Sequence, residues 1–282
     1  MVTRLVALPN LEDFGISFQS YPDHTSPSPL TRAILPSLIS FHFHGVGQYS
    51  ENLLSRIDAP TLQTLSITFL DVVFRVPQLY RFLSCTEKFE LPNEVVVEFD
   101  ILTADLKSMQ SENLRLTIGC GNFIRQVTSM AAMCRELSPL LSHVDHLKLH
   151  GKNLPLSLFF QDHTSPANLN TDWLGLFYPF TTVQSLHVSK NLGRLVAPAL
   201  AELTKEGATA VFPKLRTLSF EELQPSDSVR EVMHLLLHDG SLEILWYFSK
   251  DCSWTPLSET LFTLAAGQLG IWTQLSMIDG DK

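Results

Sequence analysis

The sequence predicts an α/β solenoid, an irregular repeat fold with a curved parallel sheet on its concave side and helices on its convex side. Nine related phrases recur at intervals of 24 to 39 residues, most of them a proline or turn followed by a variant of L-x-x-L-x-L. Within a phrase apolar and polar residues alternate, as they do in a strand with one buried face. Segments between the phrases carry helical periodicity. Stacked units of this kind bury their apolar faces against one another.

The repeat phrases define one strand each. They are LPNLEDFGIS from Leu8, LPSLISFHFH from Leu35, APTLQTLSIT from Ala59, CTEKFELP from Cys85, SENLRLTIG from Ser111, LSHVDHLKLH from Leu141, FTTVQSLHVS from Phe180, FPKLRTLSFE from Phe212 and GSLEILWYF from Gly240. The aligned inward positions are Phe14, Phe41, Leu65, Phe89, Leu116, Leu147, Leu186, Leu218 and Leu245. Most of their intervals lie near the range of about 20 to 29 residues that leucine-rich repeats use. We expect residues 1–240 to form this solenoid and residues 241–282 a divergent last repeat and C-terminal cap.

The phrase FHFHG at residues 41–45 illustrates the side-chain directions that the pattern predicts. Residues two apart in a strand share a face, so Phe41 and Phe43 are expected to point inward. His42 and His44 then point outward along the concave wall. The same alternation applies to every other repeat strand.

Helical periodicity and proline positions place helices between the strands. The predicted helical segments are residues 51–57, 78–83, 122–137, 193–206 and 227–237. Prolines inside or before the strand phrases favour extended backbone, which agrees with helices ending there. Residues 21–29, YPDHTSPSP, have the composition of a polar loop.

Composition excludes several functional classes. The chain is 45% hydrophobic and 17% charged, and its net charge of −9 has no compensating basic block, so nucleic acid is not an expected partner. No apolar run approaches the roughly 18 residues of a membrane span. Four cysteines without a C-x-x-C pair favour reduced thiols and a cytoplasmic or nuclear location.

Two stretches carry a resemblance to a known family. They are PFTTVQSLHVSKNLGRLVAPALAELTKEGATAVFPKLRTLSFEEL at residues 179–223 and LLSRIDAPTLQTLSITFLD at residues 53–71. Together they resemble the leucine-rich-repeat portion of the large F-box protein family of mushroom-forming fungi, and the similarity covers residues 8–232. In that family an F-box helix bundle docks a Skp-type adaptor of a cullin ubiquitin ligase, and the repeats hold the substrate. The resemblance implies the substrate-recognition part of an F-box ubiquitin-ligase adaptor.

The chain departs from that family at two points. It begins inside a repeat without an F-box-like L-P-x-E-x-L phrase before Leu8, so docking of a Skp-type adaptor is expected only if an F-box is encoded upstream. The usual repeat asparagine, five residues after the aligned position, is present at Asn191 and mostly replaced elsewhere. Buried carbonyls at the other turns then need different partners.

The histidines raise the alternative of a metal-dependent hydrolase. His42 and His44 could supply two ligands, and Asp13, diagonal to them on the first strand, could supply a carboxylate. The phrase HLLLH at residues 234–238 lacks the glutamate that a metalloprotease places after its first histidine. Isolated G-x-G fragments and the absence of G-x-S-x-G give no support to nucleotide binding or to a serine hydrolase.

A second histidine group lies at residues 141–150. Three histidines would share one face of a helix there, but the alternation of apolar residues favours a strand. His146, Lys148 and His150 then share the concave face with His187 on the next strand. The charge of such a patch rises as pH falls through the imidazole range.

We therefore expect a non-catalytic protein-binding module, without metal or cofactor, whose concave face captures a protein partner. The expected binding residues are His42, His44, Ser66, Thr68, Arg115, Thr117, Lys148, His150, His187, Ser189, Ser219 and Glu221. Trp246 and Phe248 fall on the same ladder, where they are either exposed binding anchors or covered by the C-terminal cap. A further alternative is an incomplete F-box gene product without activity.

Overall fold

The computed structural model describes residues 5, 7–18, 32–70, 75–86, 89, 93–109, 113–154, 166–205, 211–221 and 243–246. The described part is an α/β structure with one large, mostly parallel sheet and helices, and the sheet does not close into a barrel. Some predicted features lie outside the described residues: the loop at 21–29, the helix at 227–237, the histidines at 234 and 238, Phe248 and most of the C-terminal cap. Among the described helices, none is long and apolar enough for a membrane crossing.

Ten strands form the large sheet, and two short strands form a second one. The strands are β1 Asp13–Ser17, β2 Ala33–Ile34, β3 Ser40–Gly45, β4 Ile57–Asp58, β5 Thr64–Phe69, β6 Glu94–Phe99, β7 Thr103–Ser108, β8 Leu114–Gly119, β9 His146–Gly151, β10 Ser185–Val188, β11 Thr217–Phe220 and β12 Glu243–Trp246. The large sheet has the order β1-β3-β5-β8-β7-β6-β9-β10-β11-β12, and β2 pairs with β4. Of the described strand pairs, only those of β7 with β6 and β8 are antiparallel.

The predicted alternation is confirmed in the strands that the repeat phrases share. The sheet pairs Phe14 with Phe41, Phe41 with Leu65, Leu147 with Leu186, and Leu186 with Leu218, as the sequence alignment does. Phe41 and Phe43 are 0% and 2% exposed, whereas His42 and His44 between them are exposed. The hydrophobic effect therefore selects the register, because a slip by one residue would exchange the two faces.

In the described part of the chain, six helices connect the strands. They are α1 Gly47–Leu54, α2 Pro77–Ser84, α3 Phe123–Glu136, α4 Ser138–Leu141, α5 Pro166–Phe177 and α6 Lys190–Lys205. Four of them, α1, α2, α3 and α6, match predicted helical segments, while the short α4 and the longer α5 were not predicted. Phe82 of α2 lies edge-on to Phe41 of β3, with ring centroids 6.4 Å apart. Phe99 of β6 likewise contacts Trp173 of α5 at 5.4 Å, so the helices cover the inward face of the sheet.

Two residues, Pro77 and Glu51, explain where α2 begins. Pro77 at the first turn of α2 removes one backbone donor that would have no partner there. The carboxylate of Glu51, on α1, accepts hydrogen bonds from the next two backbone N–H groups, those of Gln78 at 2.7 Å and Leu79 at 3.1 Å. Burial raises the pKa of Glu51 above its ordinary value, although these two backbone hydrogen bonds act in the opposite direction.

The central part of the sheet differs from the prediction. Phe89, expected as the inward residue of a fourth repeat strand, is buried at 8% exposure but belongs to no strand. Instead β6, β7 and β8 form an antiparallel meander whose order in the sheet is reversed, so β5 pairs with β8 and β9 pairs with β6. Because a meander of three strands begins and ends in the same direction, both of its outer strands remain parallel to their neighbours.

The last strand also differs from the prediction. The alignment placed Leu245 level with Leu218, but the sheet pairs Leu218 with Ile244. Trp246 pairs with Phe220, whose side chain is fully buried in β11. The backbone register of β12 therefore differs by one residue from the alignment.

The missing repeat asparagines have specific replacements. Asn191 donates from Nδ2 to the carbonyl of Gly151 on the neighbouring strand at 3.1 Å. At the β6–β8 meander the fully buried Gln126 of α3 donates instead, to the carbonyls of Asp100 at 3.0 Å and Cys120 at 2.5 Å. A glutamine reaching from a helix thus satisfies carbonyls that the repeat pattern leaves open.

The described cysteines are free and differ in access. Cys85 is exposed, Cys120 is half-buried, and Cys134 is fully buried on α3, where burial raises the pKa of its thiol. In the folded protein we expect a maleimide to label Cys85 rapidly and to leave Cys134 unlabelled until the chain is unfolded. Peptide mapping by mass spectrometry after a timed reaction checks this, and equal labelling of both cysteines in the native protein would contradict it.

Candidate functional site

The face of the large sheet opposite the helices, termed the outward face, carries rows of mostly polar side chains, of which two hold the predicted binding residues and a third contains Glu94 and His146. The first row, from β1 to β11, contains Gly15, His42, Ser66, Arg115, Lys107, Val96, Lys148, His187 and Ser219. The second contains Ser17, His44, Thr68, Thr117, Asp105, Glu98 and His150, and reaches Ser189 and Glu221 just past the ends of β10 and β11. Neighbouring members of a row lie on adjacent strands, about 4.8 Å apart.

Ion pairs join the two rows across the centre of the sheet. Arg115 of β8 contacts Asp105 of β7, with Nε 3.3 Å from Oδ1. Lys107 of β7 contacts Glu98 of β6, with Nζ 3.0 Å from Oε2, and the same oxygen lies 3.3 Å from Nδ1 of His150 on β9. Four adjacent strands are thus connected by side-chain charges as well as by the backbone ladder.

The cluster continues toward β11. Lys148 of β9 contacts Glu94 of β6, with Nζ 2.5 Å from Oε1. His187 of β10 contacts two residues from the next repeat, Ser219 through Nδ1 at 2.8 Å and Glu221 through Nε2 at 3.1 Å. We term the residues of these ion pairs the charged cluster. They are Glu94, Glu98, Asp105, Lys107, Arg115, Lys148, His150, His187 and Glu221.

The two signs of charge occupy different depths in the cluster. The exposed side-chain fractions are 57% for Arg115, 40% for Lys148 and 30% for Lys107, against 6% for Asp105 and 17% for both Glu98 and Glu94. Carboxylates therefore lie close to the sheet, and the cationic ends of longer side chains lie above them. Only Glu221, with 47% of its side chain exposed, departs from this order among the pairs described.

Three residues expected to meet solvent are buried instead. Thr117, Ser189 and Ser219 are 7%, 3% and 3% exposed. Thr117 donates its hydroxyl proton to Asp105, and Ser189 accepts a hydrogen bond from the backbone N–H of Gly151 at 2.8 Å. The prediction that these three side chains face solvent is therefore wrong.

The other nine predicted residues lie on the outward face with at least part of their surface accessible. His42, His44, Arg115, His150 and Glu221 are exposed, and Ser66, Thr68, Lys148 and His187 are half-buried. Four of them lie on β3 and β5: His42, His44, Ser66 and Thr68. They continue the rows of the charged cluster without interruption, because β5 pairs directly with β8. The structure therefore brings all nine onto one continuous surface.

Sequence reasoning missed the four charged residues that the β6–β7 hairpin contributes. Glu94, Glu98, Asp105 and Lys107 lie on two strands separated by residues 100–102, and neither strand has a simple alternation of buried and accessible residues. The apolar run at residues 95–97 indicates a strand but not which of its sides faces the core. The expectation of one strand per repeat left no place for these two strands.

The described histidines have no cluster of metal ligands around them. Asp13 pairs with Ser40 and Gly15 with His42, so the nearest carboxylate of β1 is diagonal to the imidazole. Within the described ranges no three His, Cys, Asp or Glu side chains are grouped closely enough to hold an ion. His146 and His150 lie on strand β9, which confirms the strand over the helical alternative for that segment.

The pKa of Glu98 reflects its place in the cluster. Burial acts to raise the pKa, but the hydrogen bond and charge of Lys107, together with the charge and hydrogen bond of His150, hold it below its ordinary value of 4.5. An acid whose pKa is lowered by folding stabilises the fold above its unfolded-state pKa. That contribution is lost as pH falls through the lower, folded-state value.

Glu98→Gln is therefore expected to destabilise the protein in a pH-dependent way. At pH 7 we expect the free energy of unfolding to fall by about 0.5–1 kcal/mol, the size typical of a partly exposed ion pair. As pH falls below 4.5, the difference from the unmodified protein should shrink, because Glu98 itself becomes neutral. Urea denaturation of both proteins across this range checks the effect. A loss of stability that is the same at every pH would contradict the ion-pair account.

Comparison with known proteins gives no relative to set beside this site: no protein-family model, no curated protein and no solved structure matches the chain.

Proposed function

We propose that the chain is a leucine-rich-repeat-like solenoid and that its outward face binds another protein without carrying out chemistry on it. The observation that supports this most is the continuous surface of polar and charged side chains across β1 to β11, in strict register from strand to strand. Residues at the same two positions of successive strands form a continuous array, which suits recognition of an extended surface better than enclosure of a small molecule.

The opposite side of the sheet supports the same conclusion. Helices α1, α2, α3 and α5 bury the inward residues, so that side is committed to the core. On the outward side, by contrast, Arg115, His150 and His42 remain exposed. A sheet with one covered and one accessible face presents a partner with a surface that is already rigid, which lowers the entropy lost on binding.

The resemblance to the fungal F-box family adds a biological role to this proposal. By that resemblance the bound protein is a substrate for ubiquitination, and a Skp-type adaptor takes part if an F-box is encoded upstream. The role in a ubiquitin ligase depends on the resemblance alone, whereas the location of the binding surface depends on the geometry described above. The two parts of the proposal can be tested separately.

Affinity capture with outward-face variants tests the location. Lys148→Glu and His150→Glu together reverse the charge at the centre of the cluster without touching the core. Lys214→Glu, in the exposed turn before β11, changes charge away from the outward face and serves as control. Circular dichroism and thermal melts establish that all three proteins are folded before the capture is compared.

The expected result is the loss of one or a few specific proteins from the double variant but not from Lys214→Glu, in a lysate of a mushroom-forming fungus. An identical set of captured proteins for both variants would overturn the proposal for this face. Recovery of a Skp-type adaptor and of ubiquitinated forms of the lost protein would support the ligase role. A specific partner without either of them would leave the binding surface supported and the ligase role refuted.

A further inference from the structure

We propose that the partner segment seated on the outward face is an acidic peptide in extended conformation, whose carboxylates meet Arg115, Lys107 and Lys148. This inference rests on the proposed function, since it names the chemistry of the partner for the same surface. Three observations carry it: the depth at which each charge lies, the donors that remain on the cations, and the spacing of the cations across the sheet.

The depth of each charged group below the protein surface decides which charge an approaching partner meets first. The carboxylates of Asp105, Glu98 and Glu94 are 6–17% exposed, while the side chains of their basic partners are 30–57% exposed. The interaction energy of two charges falls with distance, and it falls further with screening by salt, so the nearer charge of each pair dominates for a group approaching from solvent. The charges of these three pairs sum to zero, and their cationic ends lie nearest to solvent.

The cations keep donors for a second partner. An ammonium group has three N–H donors, and the ion pairs described for Lys107 with Glu98 and for Lys148 with Glu94 use one in each case. Arg115 uses Nε and Nη2 toward Asp105, at 3.3 and 3.4 Å, out of five donors. The buried carboxylates fix these side chains in place, so less rotational freedom is lost when a second carboxylate arrives.

Spacing favours an extended peptide that crosses the strands. Arg115 and Lys107 are register partners on adjacent strands, and Lys107 and Lys148 are two strands apart with Val96 between them. Strand spacing of about 4.8 Å then places the three cations over about 14 Å. In an extended chain residues two apart lie on the same side and about 6.6 Å apart, so acidic residues at every second position span that distance with three side chains.

A peptide fits this surface better than a nucleic acid does. Nucleic-acid affinity depends on neutralising many closely spaced phosphates. A local group of three cations is sufficient for separate carboxylates but not for a continuous phosphate backbone. The imidazoles of His150 and His187 extend the same surface toward β11.

Fluorescence anisotropy with a labelled decapeptide of alternating Glu and Ser tests the inference on the intact chain. The matched probe is the decapeptide of alternating Gln and Ser, which has the same length and no charge. Arg115→Gln with Lys148→Gln removes two cations from the cluster. The control, Arg81→Gln with Lys214→Gln, removes one arginine and one lysine at exposed positions on α2 and in the turn before β11.

We expect the acidic decapeptide to bind the unmodified chain and the control variant alike, and the cluster variant at least about tenfold more weakly. We expect its affinity to fall as salt is raised, because the contacts lie at the surface. Equal binding of the uncharged decapeptide, equal binding to both variants, or tighter binding of a single-stranded oligonucleotide would overturn the inference.

The capture experiment separates this inference from the function on which it rests. If the acidic decapeptide fails to bind while Lys148→Glu with His150→Glu still loses a specific protein, the outward face remains a binding surface and the acidic chemistry is refuted. If the decapeptide fails and the capture is unchanged, both proposals are refuted.

Discussion

Replacing Phe41 with alanine is expected to lower the free energy of unfolding by about 3–5 kcal/mol. The ring is fully buried in β3, where it stacks on Phe14 of β1 at 5.6 Å and meets Phe82 of α2 edge-on at 6.4 Å. Its removal leaves a cavity between the sheet and α2, and the surrounding residues are held by neighbouring strands that limit their collapse. Urea denaturation measured by circular dichroism gives the free energy directly.

The adjacent residue provides the matched control for this prediction. His42 is exposed on the opposite face of the same strand, so His42→Ala is expected to change the free energy of unfolding by less than about 0.5 kcal/mol. The contrast between two neighbouring residues tests the alternation itself, because both substitutions remove a ring and leave alanine. Similar losses from the two variants would mean that the strand does not have one buried and one exposed face.

Gln126→Met is expected to cost about 2–4 kcal/mol, the second-largest effect we foresee. Methionine occupies nearly the volume of glutamine, so the substitution removes hydrogen bonds without opening a large cavity. The amide nitrogen of Gln126 donates to the carbonyls of Asp100 and Cys120, which flank β6 and β8. Both carbonyls lose this donor in the variant, and an unmet buried acceptor costs about 1–3 kcal/mol.

Asn191→Met is the comparison for Gln126→Met. Asn191 makes one hydrogen bond, to the carbonyl of Gly151, and is itself exposed, so water can replace the lost donor. We expect a cost below about 1 kcal/mol, measured in the same denaturation experiment. If Asn191→Met were as destabilising as Gln126→Met, burial of the glutamine would not be the source of its contribution.

Periodicity carried most of the information about the strands. In β3, β5, β9, β10 and β11 the apolar residues alternate with polar ones, and burial of one face leaves a single acceptable register. The same reasoning located α1, α2, α3 and α6 between strands. These predictions succeed because they depend on residues close together in sequence.

The order of the strands could not be predicted in the same way. Pairing of β5 with β8 joins residues about 50 positions apart, and a local pattern contains no information about which distant edge a strand will meet. The hairpin of β6 and β7 lacks the alternation of the other strands, because Val96 and Asp105 are buried on its outward side. The assumption that each repeat adds one strand in sequence order led to the wrong neighbours.

The sequence predicted where several residues of the candidate site lie, but not the carboxylates that pair with its cations. Arg115, Lys148 and His150 were expected on the outward face and lie there, because their direction depends only on alternation. Their carboxylate partners Asp105, Glu98 and Glu94 come from the reversed meander, so they could be identified only with the strand order in hand. The burial of Thr117 and Ser219 was likewise not predicted, and each makes a hydrogen bond to a residue of a neighbouring strand, Asp105 and His187 respectively.

Hydroxyl-radical footprinting of the native, unmodified chain tests the central claim most directly, that one face of the sheet is sealed by helices and the other is an accessible polar surface. The method oxidises accessible aromatic and imidazole rings in place, and mass spectrometry assigns the rate to each residue. We expect His42, His44 and His150 to be oxidised at rates comparable to the exposed Tyr178, and Phe41, Phe43 and Trp173 to be protected until the chain unfolds. Rapid oxidation of Phe41 and Phe43 with protection of His42 and His44 would contradict the account.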